Sequence, residues 1–391
     1  MPVGLVLLGL SACRSIPLSR VSPGEADAAN LFSVEWATAL VAPTFLEYQP
    51  AEFASPWVDA EKGRIYTYTR DGIVRALLAE DGKLLWASKP MGKAFAGVAG
   101  EGELLFVPGG DGVLRALYAE NGEEKWAVDM GEAWATQPVP AQGKLLVVSQ
   151  SDCLFVLDAQ TGERLWQYRR KQPSGFSIRG AFVPAVLGST VYQGFSDGSL
   201  LALNLEDGAV VWEKNTSPSG GTQFLDLDSG AAFSADGAHM YVASYKDGLF
   251  AIDTQTGDFL WTQRLSAATY VALRGDMLLT AGGFGISAYS AQEGTRLWNT
   301  PVLPPRPFTA ARRKPVSDRA TGGRLPTLYS RWLLVPTSDD LAFFDIVSGK
   351  PMGYWNPGRG VCATPAVWND RVYVLSNAGH LYSLKMVRWS S

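Results

Sequence analysis

Six times in this chain a glycine is followed four residues later by a tryptophan: Gly82/Trp86, Gly122/Trp126, Gly162/Trp166, Gly208/Trp212, Gly257/Trp261 and Gly294/Trp298. A seventh copy is degenerate, with Gly349 followed by Tyr354-Trp355. An eighth, residues 364–385, stops before its Gly-Trp element. The glycines are spaced 40, 40, 46, 49, 37 and 55 residues apart. An internal period of this size, with short β-rich runs in each unit, marks a propeller.

The third copy shows the unit. Gln137–Ala141 reads as an inner strand, followed by Lys144–Ser149 (KLLVVS) and Leu154–Asp158 (LFVLD). Gln160-Thr161-Gly162 then turns the chain into Arg164–Tyr168. Other copies place Asp-Gly at the middle hairpin: Asp71-Gly72, Asp111-Gly112, Asp197-Gly198 and Asp247-Gly248. That dipeptide between apolar runs is the strongest short hairpin signal. The expected fold is all-β, an eight-bladed propeller of four-stranded antiparallel blades. One tryptophan per repeat suits packing between blades better than a ligand-stacking surface. Phe32–Leu40 (FSVEWATAL) carries a Trp of its own, Trp36. It is expected to supply the missing outer strand of the last blade and close the ring, which removes open sheet edges.

At 391 residues and 47% hydrophobic, the chain can fill one large ring-shaped domain. A net charge of −4 excludes general affinity for nucleic acid. The two histidines, His239 and His380, lie in no Cys/His cluster, so a zinc site has no support. Cys153 is read at the turn position that glycine fills in other copies, and Cys362 in the lead-in to blade eight. Those blades are not neighbours, so a disulfide between them is not expected.

Cys13 is different. Residues 3–10 (VGLVLLGL) are apolar but too short to span a bilayer, and they lead into Leu10-Ser11-Ala12-Cys13. No Lys or Arg precedes the run. The segment resembles a bacterial lipoprotein signal, whose Cys becomes the lipidated first residue of the mature chain. Residues 1–12 are then the signal, 13–31 a lipidated tether and 32–391 the propeller.

In such a blade the middle hairpins and the blade-to-blade connections emerge on one face, and the Gly-Trp turns on the other. Three unusual segments therefore share a face. Arg169–Ala181 (RRKQPSGFSIRGA) carries Arg169, Arg170, Lys171 and Arg179 beside Phe176 and Ile178. Asn215–Ser229 includes Phe224-Leu225-Asp226-Leu227-Asp228. Pro301–Leu325 holds six basic residues against the single acid Asp318 and reads as a solvated connection. A guanidinium flanked by apolar side chains suits an interface anchor, so the first two segments are the expected functional ones. Arg179 could equally pair internally with Asp226 or Asp228 as a brace.

Ser174-Gly175-Phe176-Ser177-Ile178-Arg179-Gly180, followed by Asp226-Leu227-Asp228, resembles the BamB family of propeller lipoproteins. The family belongs to the β-barrel assembly machinery of the Gram-negative outer membrane. The resemblance implies a scaffold without catalysis or cofactor. It implies binding to the periplasmic domains of the machinery's central barrel protein through Phe176, Ser177, Ile178, Arg179, Gly180, Asp226 and Asp228. It also implies a lipid anchor at Cys13 in the inner leaflet of the outer membrane. Phe176 and Ile178 stand where the family tends to have leucines. Capture of unfolded outer-membrane proteins by strand pairing ranks below scaffolding, because a closed ring offers only its outer strands.

Two rivals share the fold. A quinone-dependent dehydrogenase would need a central cofactor cradle with calcium ligands and typically adjacent cysteines. The chain has no Cys-Cys, and its hairpins offer mainly Asp-Gly turns. A membrane-anchored propeller serving another envelope partner would keep the fold and change the ligand. Two histidines in unrelated turns give no support to a Ser-His-Asp triad.

Overall fold

The computed structural model describes residues 31–42, 51–172, 182–217, 225–227, 229–265, 267–282, 285–301, 326–337 and 339–387. Among them every regular element is a strand, and the strands form eight separate four-stranded antiparallel sheets. Seven sheets take their strands in sequence order. In the eighth, Ala366–Trp368, Arg371–Leu375 and His380–Met386 are joined by Phe32–Ala39 from the other end of the chain. The molecule is the expected eight-bladed propeller, with the expected N-terminal closure.

The strands differ from the sequence reading by a residue or two at their ends. In blade three they are Val139–Ala141, Lys144–Val148, Cys153–Asp158 and Arg164–Arg169. One assignment changes. Cys153 begins the third strand and does not occupy the turn. Ser149 N–H donates to Cys153 C=O at 3.0 Å, just as Gly109 donates to Val113 at 2.9 Å. The residue matching Gly112 is therefore Asp152, at φ +57°. Aspartate is among the few side chains that tolerate this region. Cys153 and Cys362 are buried free thiols.

The apolar core is divided into eight clusters, one at each blade junction. Each blade buries one face against each neighbour, so no blade has a core of its own. The tryptophans set the spacing, as expected. Trp36, Trp86, Trp126, Trp166, Trp212, Trp261 and Trp298 each donate Nε1–H to a carbonyl of the next blade, at 2.9–3.2 Å. Each ring also lies on the turn glycine of that blade, where a Cβ would sit 2.4–2.8 Å from the indole.

The remaining junction, from blade seven to blade eight, is built differently. Six tryptophans stand opposite Ala or Val on the third strand, as Trp86 does opposite Ala76, and Trp36 stands opposite Ser383. In blade seven Gly353 holds the tryptophan position and faces Phe343. Large and small have exchanged places. Blade eight has no Gly hairpin to receive a tryptophan, because its outer strand comes from the other end of the chain. Phe32 fills the space instead, stacked on Phe343 at 5.2 Å and edge-on to Trp355 at 5.4 Å. The seam pairs Phe32↔Met386 through Ala39↔His380 with a bulge between Val34 and Trp36, and Val387 N–H donates to Leu31 C=O at 2.8 Å.

Candidate docking face

The connections that the sequence singles out leave the face formed by the middle hairpins. The first leaves blade three after Arg169. Arg169 and Arg170, which the sequence places in a candidate interface segment, are both held by neighbouring side chains. Arg169 bonds back toward blade three, to Glu132 at 2.6 Å and to the Ser151 hydroxyl at 2.9 Å. Arg170 reaches forward to blade four, donating to Asp197 at 2.8 Å, Ser199 at 2.9 Å and Glu213 at 2.8 Å. Its main-chain N–H donates to Asp152 C=O at 3.1 Å. Gln172 then bonds to Gln150 C=O at 2.6 Å.

The charges here answer one another. Burial opposes the Arg170 cation, but Asp197 and Glu213 outweigh it and hold the group above the usual arginine range. Burial likewise raises Glu132, yet Arg169 and Ser151 prevail and keep its carboxyl below its ordinary value. The Asp152 carboxyl is pushed up by burial, against the pull of the Ser196 hydroxyl that it accepts. Hairpins three and four are thus tied together at the root of the first connection.

That connection re-enters the described chain at Phe182, which is buried between blades four and five. The second connection passes through the same cluster at Leu227. Phe182 and Leu227 close over Gly194, where a Cβ would meet them at 2.7 and 2.8 Å. Leu227 forms a bridge to Ser244, and Tyr245 N–H donates to Asp226 C=O at 3.2 Å. The structure therefore roots the two segments in one core cluster, which sequence spacing alone could not reveal.

Among the expected contact residues, Asp226 is described. It is 1% exposed and engaged, so it lies within the protein and not on its surface. Phe176, Ser177, Ile178, Arg179, Gly180 and Asp228 fall outside the described residues, as do Cys13 and residues 302–325. Among the described residues no group of three or more His, Cys, Asp or Glu could hold a metal ion.

A buried pair on this face escapes a reading of the sequence. Glu52, in the lead-in to blade one, bonds to the Arg70 guanidinium of hairpin one, and its own N–H donates to the Asn377 side chain of hairpin eight at 3.2 Å. The two charged side chains are 1% and 5% exposed. Burial pushes the Glu52 carboxyl up to about 7, against the pull of Arg70.

The family model described as outer membrane protein assembly factor BamB matches residues 70–228 and 220–325. The chain belongs to the BamB family. It is 25% identical over 331 residues to outer membrane protein assembly factor BamB of Shewanella oneidensis, covering 83% of this chain and 69% of that one. The crystal structure of BamB from Moraxella catarrhalis superposes with a TM-score of 0.75 at 22% identity, covering 91% of this chain and all of that one. The quinohemoprotein alcohol dehydrogenase of Comamonas testosteroni superposes at 0.67 and 15% identity, covering 95% of this chain and 79% of that one. At these identities both structures speak to the shared propeller alone. It is the family match, running through both rooted connections, that separates BamB from the dehydrogenases.

Proposed function

We infer that this chain is a non-catalytic scaffold of the outer-membrane β-barrel assembly machinery. It serves the assembly of outer-membrane proteins by docking to the periplasmic domains of the machinery's central barrel protein. The family match across residues 70–325 carries this reading. The common root of the two connections supports it, because a pre-organised loop loses less freedom on binding.

In this mechanism Phe176, Ile178 and Arg179 meet the partner, with Ser177 and Gly180 shaping the loop between them. Asp226, being buried, organises the second connection from within and is not a direct contact. Asp228 joins whichever side its carboxylate faces, brace or partner. Residues 1–12 direct export, Cys13 carries the lipid, and residues 13–31 tether the disc to the periplasmic face of the outer membrane. A lipid chain on such a tether anchors without spanning.

The test is a tagged pulldown from detergent-solubilised native membranes, wild type beside Arg179→Glu. The expected result is recovery of the barrel protein by wild type and its loss in a variant that still folds. Recovery by both would move the contact away from Arg179. Recovery by neither would overturn the scaffold assignment.

A further inference from the structure

We propose that Phe95 is the apolar anchor of a second contact on the docking face, between blades one and two, and that Lys89 and Lys93 suit this contact to an acidic surface of the partner. The proposal rests on the docking role inferred above and adds a place and a chemistry to it.

Most of the exposed large apolar side chains sit on outer strands, as Leu85, Leu165, Val211, Leu260 and Leu297 do one position before a repeat tryptophan. Val347 lies in a Gly turn, Val367 on an inner strand and Val387 just past the last strand. Among the described residues, Phe95 alone stands in a blade-to-blade connection on the docking face, 45% exposed. An aromatic ring is a usual apolar centre of a protein interface.

The chain around this ring is held fast. Met91 N–H donates to Gly72 C=O at 2.8 Å, and Asp111 N–H to Met91 C=O at 3.3 Å. The buried Tyr68 hydroxyl lies 2.9 and 2.8 Å from the Met91 and Gly92 carbonyls and accepts Gly110 N–H at 2.9 Å. Met91 and Ala94 pack in the core between blades one and two, and Ala96 is buried as well. Phe95 therefore points outward from a segment fixed on both sides, and binding costs that segment little backbone freedom.

The patch is continuous with the root of the first connection. A Cβ on Gly97 would sit 2.9 Å from Ser55 C=O and 3.1 Å from Gln137 Oε1, so the lead-ins of blades one, two and three touch there. The lead-in of blade three also carries Glu132, which holds Arg169. A stable interface buries about 800 Å² on each partner, drawn from roughly 20–30 residues. One connection is too short to supply that area, so a partner seated on it also covers neighbouring lead-ins. Lys89 and Lys93 are exposed in the same connection as Phe95, and neither ammonium is paired among the described residues. The carboxylates of the flanking hairpins are engaged, Asp71 with Arg75 at 2.6 Å and Asp111 with Arg115 at 2.7 Å. Unpaired cations around an apolar ring match carboxylates around an apolar pocket.

The experiment measures binding of the full chain to the purified periplasmic domains of the barrel protein by calorimetry. It compares wild type, Phe95→Ser, Leu165→Ser, and Lys89→Glu combined with Lys93→Glu. Leu165 is a matched control, equally exposed at 45% but on the rim. Phe95→Ser is expected to weaken affinity about thirtyfold with an unchanged melting temperature. Leu165→Ser should bind as wild type does. The lysine variant should also bind weakly, and its deficit should narrow as salt is raised. Wild-type affinity in Phe95→Ser, or equal losses in Phe95→Ser and Leu165→Ser, would overturn the proposal and leave the docking role standing. Wild-type affinity in the lysine variant would overturn the acidic chemistry, and that variant decides the matter if Phe95→Ser fails to fold. A wild-type dimer in sedimentation that Phe95→Ser abolishes would give the patch to a second copy. Flotation of wild type, but not of Phe95→Ser, with vesicles of anionic phospholipid would give it to lipid. Either result overturns the proposal. No binding by wild type would remove the docking role itself, and this contact with it.

Discussion

The indole N–H of Trp36 donates to the carbonyl of Ala79 at 3.2 Å, 43 residues further along the chain. The same bond joins Trp86 to Ala119 and Trp126 to Ala159. The strand Phe32–Ala39 therefore makes its junction as the interior blades make theirs. Ala79 C=O also accepts the Tyr373 hydroxyl at 3.2 Å, so the donors of blade eight converge on one acceptor of blade one.

Removing that junction should weaken the whole ring. Trp36→Ala is expected to cost about 3 kcal/mol, toward the low end for a large aromatic because the ring is only partly buried. Deleting residues 31–40 should abolish the single cooperative transition, since it opens blade eight as well. Urea denaturation followed by tryptophan fluorescence measures both. A deletion variant with wild-type midpoint would show that the strand is dispensable.

Gly122→Ala tests the packing between tryptophan and turn. Gly122 has φ +76°, and a Cβ would come within 2.6 Å of the Trp86 ring. Backbone strain and overpacking act together, for an expected loss of about 2–4 kcal/mol. Gly102 also has positive φ, but a Cβ there would meet nothing within 4 Å, so Gly102→Ala should lose only the backbone part. Equal losses in the two variants would remove the tryptophan from the explanation.

The Glu52 carboxyl gives the fold a pH dependence. Burial raises it from its ordinary 4.5 to about 7, so the native state binds this proton more tightly than the unfolded chain does. Its contribution is fully present below about 4.5 and is lost as pH rises through about 7. The depressed carboxyls behave oppositely. Burial raises Asp345, but Arg331 and Ser348 hold it below its ordinary value, so its contribution is lost only as pH falls in the acid range. Melting temperature should therefore decline from near pH 5 to near pH 8. Glu52→Gln should flatten that decline and keep the acid limb. An unchanged slope in the variant would assign the dependence to another group.

The two described thiols should be inert in the folded protein. Burial pushes Cys153 up to about 11, and Cys362 is buried beside the Asn377 amide at 3.4 Å. A thiol-specific chromogenic reagent should label neither at neutral pH until the chain is unfolded. Fast labelling of Cys153 in native protein, located by peptide mass mapping, would contradict its placement in the strand.

The repeat is legible because each Gly-Trp pair states a local turn and a neighbour contact at once. Trp36 betrays the closure because it carries the same register signal as the six repeats. The exchange of Phe343 and Gly353 shows in sequence only as a degenerate copy; its reason lies in a neighbouring blade that draws its outer strand from Phe32. Glu52 and Arg70 are not legible at all. They are 18 residues apart and meet only where the lead-in to blade one passes beside the hairpins. Arg170 cannot be told apart in sequence from the other cations of its segment, because its acceptors lie 27 to 43 residues downstream. Asp226 draws notice for its charge, while its burial depends on how blade five folds against it.

Blade eight also sets a clock on synthesis. Glu35 bonds to Arg371 across 336 residues, so a strand made early is among the last to find its partners. Until the strands of blade eight arrive, each end of the growing arc leaves an apolar blade face uncovered, and contacts this distant in sequence form slowly. A chain cut short by even the hairpin of that blade would be left as an open arc and not as a smaller disc. Such fragments should be sticky and short-lived, so a nonsense codon within blade eight should be nearly as damaging as one within blade one.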